Sequence, residues 1–159
     1  MTFSNELVLR AQALLEAYRS DGRKIATAES CTGGLIGALF TDIPGSSKVF
    51  ERGFITYSNE AKIESLGVDA AVIGHHGAVS APVAEAMALG ALEHSRADVT
   101  LAVTGIAGPG GGTAQKPVGT VWFATATRES VYSEMQLFTG SRSEIRMQAV
   151  SHALQLLAH

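Results

Sequence analysis

A single cysteine, Cys31, stands in a chain of 159 residues, which excludes an intramolecular disulfide and fits a reducing compartment. Charge is scarce too. Asp, Glu, Lys and Arg make up 17% of the residues, and the formal net charge is −3. With no Lys/Arg run, the chain lacks the basic field that nucleic-acid binding requires. No apolar run reaches the ~18 residues of a membrane span, and the opening MTFSNELVLR has no apolar core of a secretory leader. The expectation is a cytoplasmic protein with neither a nucleic-acid nor a membrane partner. The metal-site spacings HExxH and CxxC are missing as well. His75, His76, His94, His152 and His159 are scattered without a carboxylate-rich run, so no metal is expected. The glycine loop GIAGPGGG matches neither the P-loop nor the dinucleotide fingerprint, and no cofactor is expected.

What is present is an apolar content of 46% on a chain the size of one ordinary domain, enough to bury a core without staples. NELVLRAQALLEAYRSDG repeats apolar residues at helical spacing (Leu7, Ala11, Leu14, Leu15, Tyr18) and ends at Asp21-Gly22. KIATA reads as a short buried strand, GLIGALF as the first turns of a helix, DIPGSS as a turn and VFERGFITYS as a strand that Tyr57 ends. NEAKIESLGV reads as a helix closed by Gly67. DAAVIGHHGAVS begins as a loop, then Ser80 caps an alanine-rich helix. DVTLAVTGIA is a buried strand, and VGTVWFATAT with SVYSEMQLFTG forms a hairpin. The closing helix is capped by Ser141 or Ser143 and turns Ile145, Ala149, Ala153 and Leu156 inward. This order predicts an α/β fold, a three-layer α/β/α domain with a mixed sheet.

Three polar clusters fall beyond predicted strand ends, where such folds bind ligands. The first, Glu29-Ser30-Cys31-Thr32 followed by Gly33 and Gly34, sits where a strand gives way to a helix, so the unpaired N–H groups of the helix start could hold an oxyanion. The second is TYSNEAK, with Tyr57 and Lys62; the third is Thr104, Gly105 and the glycine loop to Gly112. A serine needs a neutral base, and a lysine whose pKa is lowered by burial can serve, so Ser30 with Lys62 is one reading. The other is a helix-capping serine, a solvated lysine and a strand-end tyrosine. Cys31 is a rival nucleophile or a small buried residue. Arg142 and Arg146, four apart, share one face of the closing helix and could hold a phosphate or pair with Glu144.

The segments TAESCTGGLIG, GSSKVFERGFITYSNEAKIESLGV, GAVSAPVAEAMA, AVTGIAGPGGGTAQKPVGTVWFA and GSRSEIRMQAV together cover nearly the whole chain. In that order they resemble the C-terminal domain family of the competence/damage-inducible protein CinA, whose members include nicotinamide-nucleotide amidases. The resemblance implies one stand-alone amidohydrolase domain over residues 1–159, assembling as a homo-oligomer, dimer or higher. It implies hydrolysis of the carboxamide of nicotinamide mononucleotide to nicotinic acid mononucleotide and ammonia. It carries the nucleophile onto Ser30, the base onto Lys62 and a supporting role onto Tyr57. Substrate binding falls to Glu29, Cys31, Thr32, Gly33, Gly34, Thr104, Gly105 and the two arginines, with Arg142 favoured for the phosphate and Arg146 as the alternative. A nucleotide-phosphate binding module without chemistry, or an amidase for another small amide, would present the same clusters.

Overall fold

The structure, a computed structural model, describes residues 3–159. Ser4 accepts a hydrogen bond from Leu7 N–H and so starts α1 (Asn5–Asp21), whose buried stripe is the predicted one and which Gly22 ends in the left-handed conformation. Then follow β1 (Ile25–Glu29), α2 (Leu35–Thr41), a 3₁₀ turn at Ser46–Lys48 and β2 (Phe50–Ile55). Next come α3 (Asn59–Leu66), α4 (Ala70–His76), α5 (Ala81–Glu93), β3 (Val99–Gly105), the hairpin of β4 (Thr120–Ala126) and β5 (Val131–Leu137), and α6 (Arg142–Leu157). Ser141 and Glu144 make a reciprocal capping box at the start of α6, as the sequence suggests.

The sheet runs β2-β1-β3-β4-β5; β1 is parallel to both its neighbours, and β3, β4 and β5 are antiparallel in turn. It is mixed, as expected. Alternation along the strands divides the core. Ile25, Leu101, Val103, Val121 and Phe123 face the layer of α1, α2 and α6. Ala28, Ala102, Ala124 and Ala126 face α5, which answers with Ala84, Ala88 and Ala91. Small residues on both sides let α5 lie close to the sheet, and the Thr100 hydroxyl donates to Ala88 O at 2.7 Å.

The same closeness sets the role of Gly90, where an added Cβ would stand 2.0 Å from the carbonyl oxygen of Leu66 at the end of α3. Backbone cannot yield as a side-chain tip can. Gly90→Ala gains about 1 kcal/mol of helix propensity but should lose about 3 kcal/mol to overpacking. The expected net result is a drop in Tm of about 5 °C, read by thermal unfolding.

Three local expectations need correction. The stretch read as a loop holds α4: Asp69 accepts from Ala71 N–H and Ile73 is buried, so His75 and His76 lie in a last helical turn. Tyr57 stands two residues beyond the end of β2. In α6 Leu157, not Leu156, takes the fully buried position, while Leu156 is partly exposed.

β1 sends the chain to β2 on one side, whereas β3 flanks it on the other. The carboxyl ends of these three parallel strands therefore open on one crevice. Glu29-Ser30, Thr56-Tyr57 and Thr104-Gly105 all arrive there.

Candidate active site

Ser30 is the first residue beyond β1, and its N–H donates to Val103 O at 2.9 Å, which ties it to the neighbouring strand. The chain then turns sharply: Gly33 N–H donates to Ser30 O at 3.0 Å, and Gly33 and Gly34 have φ of 58° and 101°, a region that L side chains rarely adopt. Arg146 reaches in from α6 and donates from Nε to Cys31 O (3.0 Å) and from Nη2 to Thr32 O (3.2 Å). On the other side Glu29 accepts from Thr32 Oγ1, Ile36 N–H and Gly37 N–H. The serine turn is thus held by its carbonyls and by the helix that follows it. Among the described residues, the N–H groups of Cys31, Thr32 and Gly34 have no protein acceptor.

Lys62 lies one turn into α3 and is only 1% exposed. Its Nζ stands 3.0 Å from Ser30 Oγ, 2.9 Å from Thr56 O and 3.4 Å from Tyr57 O. No carboxylate pairs with it among the described residues. Burial therefore pushes its pKa below the ordinary 10.5; only charge on the Cys31 thiol would oppose this. That thiol is itself pushed up to about 12, chiefly by burial, so it stays protonated and leaves Lys62 without a counter-charge. A neutral amine has two N–H donors and one lone pair. As an ammonium Lys62 donates to all three oxygens; once neutral it would keep two N–H groups for the carbonyls and turn its lone pair to the Ser30 hydroxyl.

These groups line a cavity of about 270 Å³ together with Cys31, Tyr57, Thr104, Gly105, the loop from Ile106 to Gly111, and Arg142. The Tyr57 ring is 63% exposed, and its hydroxyl accepts from Arg142 Nη2 at 3.1 Å. Arg142 Nη1 donates to Gly108 O at 2.7 Å, so one guanidinium spans the cavity mouth. Thr104 donates its hydroxyl to Ala78 O at 3.0 Å and fixes the loop before α5 against β3. The glycine loop is closed at its base by the Ile106–Thr120 and Gly119–Ile106 backbone bonds, and Lys116 Nζ anchors it to His76 O at 2.7 Å.

Of the candidates named from sequence, Ser30, Cys31, Tyr57, Lys62, Thr104, Gly105 and Arg142 reach this cavity. Glu29, Thr32, Gly33, Gly34 and Arg146 are not on its wall; they form and brace the turn behind it. Asn59, Ala78 and Val79 line it and were not singled out. Asn59 precedes Lys62 by three residues on one helix, a spacing that places both on one face. A larger groove of about 640 Å³ between α1 and the end of α6 is lined by Leu14, Tyr18, Arg23, Leu154, Leu157 and His159, and the Tyr18 hydroxyl there donates to Leu157 O at 2.8 Å.

The family profile described as the CinA C-terminal domain matches residues 9–159. The chain belongs to the CinA C-terminal domain family. A relative from Escherichia coli strain K12, named nicotinamide-nucleotide amidohydrolase PncC, is 49% identical over 154 residues, spanning 96% of this chain and 93% of that protein. A CinA-like protein of Akkermansia muciniphila is 58% identical over 132 residues, 82% of this chain but 32% of the longer protein. The crystal structure of the competence/damage inducible protein CihA from Agrobacterium tumefaciens superposes with a TM-score of 0.95 at 46% identity, covering 99% of this chain and 97% of that one. The CinA domain here is thus an α/β domain with a five-stranded mixed sheet and, among the described residues, six α-helices. None of those helices is long and apolar enough to cross a membrane, and no three His, Cys, Asp or Glu side chains among the described residues converge.

Proposed function

We propose that this chain hydrolyses the carboxamide of nicotinamide mononucleotide to nicotinic acid mononucleotide and ammonia, with Ser30 as nucleophile and Lys62 as its neutral base. The observation that carries the reading is the environment of Lys62: buried, with no carboxylate partner among the described residues, its nitrogen 2.9 Å and 3.4 Å from two carbonyls and 3.0 Å from Ser30 Oγ. The name of the Escherichia coli relative supports the choice of substrate.

Lys62 takes the Ser30 proton, and Oγ bonds to the amide carbon. The tetrahedral oxyanion lies against the free N–H of Cys31, the residue of the serine turn that lines the cavity beside Ser30. Collapse breaks the C–N bond, and Lys62 returns the proton so that ammonia leaves. Water then adds to the acyl-serine, giving the acid and restoring the hydroxyl. Thr104 and the glycine loop shape the space for the pyridine ring. Arg142, at the first position of α6, supplies a guanidinium for the 5′-phosphate beside a helix start.

The test is ammonia release with product identification on three amides: nicotinamide mononucleotide, its riboside and free nicotinamide. Stoichiometric ammonia and acid from the mononucleotide, with kcat/KM well above that for the riboside, is the expected result. Arg142→Ala should lower kcat/KM for the mononucleotide by about tenfold to a hundredfold, the worth of one charged hydrogen-bonding partner, and should lower that for the riboside less. Saturable binding of the mononucleotide without ammonia would instead identify a binding module.

A further inference from the structure

Glu29 is among the largest fully buried side chains, 1% exposed, and no lysine or arginine pairs with it among the described residues. Both of its oxygens nevertheless accept hydrogen bonds. Oε1 accepts from the Thr32 hydroxyl at 2.7 Å and from Ile36 N–H at 3.0 Å, and Oε2 accepts from Gly37 N–H at 3.0 Å. Three donors converging on one carboxyl suit the acceptor-only ionised form. Ile36 and Gly37 are the second and third residues of α2, so the N–H groups that a helix start ordinarily offers to an anion are already taken.

We infer that Glu29 is a positioning residue that makes Ser30, and not Cys31, the nucleophile: its carboxylate fills the start of α2 and holds the serine turn in place. The inference rests on the proposed role of Ser30. A thiol just before a helix is ordinarily activated by the positive end of that helix. Here a full negative charge from β1 occupies that end, while Arg146 from α6, the cation that faces the thiol, is bonded to the Cys31 and Thr32 carbonyls, and Lys62 from α3 is the neutral amine of the proposed mechanism. The same charge acts on the thiol in the direction that burial does. With Cys31 neutral, Lys62 has no counter-ion and remains a base for the adjacent hydroxyl.

Cys31 is the one cysteine of the chain, so its alkylation by iodoacetamide reads one site without ambiguity. Wild-type protein, Glu29→Gln and Glu29→Asp are compared between pH 7 and 9, with thermal unfolding as the check on folding. The aspartate keeps the charge but is too short for all three bonds, so it loosens the turn without neutralising it. Glu29→Gln should alkylate about threefold faster than Glu29→Asp at each pH, a modest ratio because Glu29 acts on the thiol less than burial and Arg146 do. Its kcat for the amide should fall about tenfold with KM within about twofold, because the loss lies in the chemical step. Equal alkylation of the two variants would overturn the inference. So would rapid labelling of the wild type with a midpoint near an ordinary thiol, a result that does not depend on either variant folding. The labelling needs no amidase activity, so it separates an error about Glu29 from an error about the reaction.

Discussion

Ser30→Ala is expected to reduce ammonia release from nicotinamide mononucleotide by at least about a thousandfold, since a covalent route disappears with the hydroxyl. The structure makes this a clean substitution. The Ser30 backbone is held by Val103 O and by Gly33 N–H, and neither bond involves its side chain. The turn, the free N–H groups and the Arg142 bridge should all survive, so substrate binding should change little while kcat collapses. Isothermal titration beside the rate assay checks both halves. Full turnover by the alanine variant would transfer the chemistry elsewhere, with Cys31 the nearest candidate on the cavity wall.

Lys62→Met should be as severe, and it carries a second signature that Ser30→Ala does not. Methionine keeps the length and apolar stem of lysine but has no lone pair basic enough to accept the serine proton, so a loss of about a thousandfold is expected here too. The wild-type rate should rise with pH as the buried ammonium loses its proton, because the neutral amine is the working form. Stability follows the same titration. Between the lowered pKa of the folded state and the ordinary 10.5, the unfolded chain holds a proton that the folded chain does not, so unfolding takes up a proton. Raising the pH through that window therefore stabilises the fold, by about 1.4 kcal/mol for each unit the pKa is lowered. Denaturant titrations at several pH values should show the wild type gaining stability relative to Lys62→Met through this window, the opposing titration of the raised Cys31 thiol being common to both.

The elements were legible where the sequence carries caps and periodicity. Ser4, Ser58, Ser80 and Ser141 each accept a backbone N–H at a helix start, and Gly22 and Gly67 close helices in the left-handed conformation. α4 escaped because AAVIGHH is two turns long, buries Ile73 alone and includes a glycine, too little for a helical pattern to register. The pairing of Ser30 with Lys62 was invisible to spacing. Thirty-two residues separate them, and they meet because β1 and β2 are adjacent parallel strands whose ends share a rim. Side-chain chemistry offered that pair as one of two readings and the family resemblance favoured it; the topology supplies the reason the two residues meet. From sequence Arg142 was favoured over Arg146 only for its place nearer the helix start; in the structure one reaches the cavity mouth and the other the carbonyls of the serine turn. Four residues along α6 are one turn of rise, about 6 Å, enough to separate the opening from its support.

Arg142 has a consequence for the order of events in the crevice. Its guanidinium already has two partners, Gly108 O on one bank and Tyr57 Oη on the other. A phosphate that claims it acts by exchange, and the free protein is its own competitor for that site. Affinity is then the difference between the new pair and the two bonds surrendered. Under the proposed function, giving up these bonds would also untie the glycine loop from the tyrosine bank, so binding would loosen the strap that Arg142 forms across the cavity mouth.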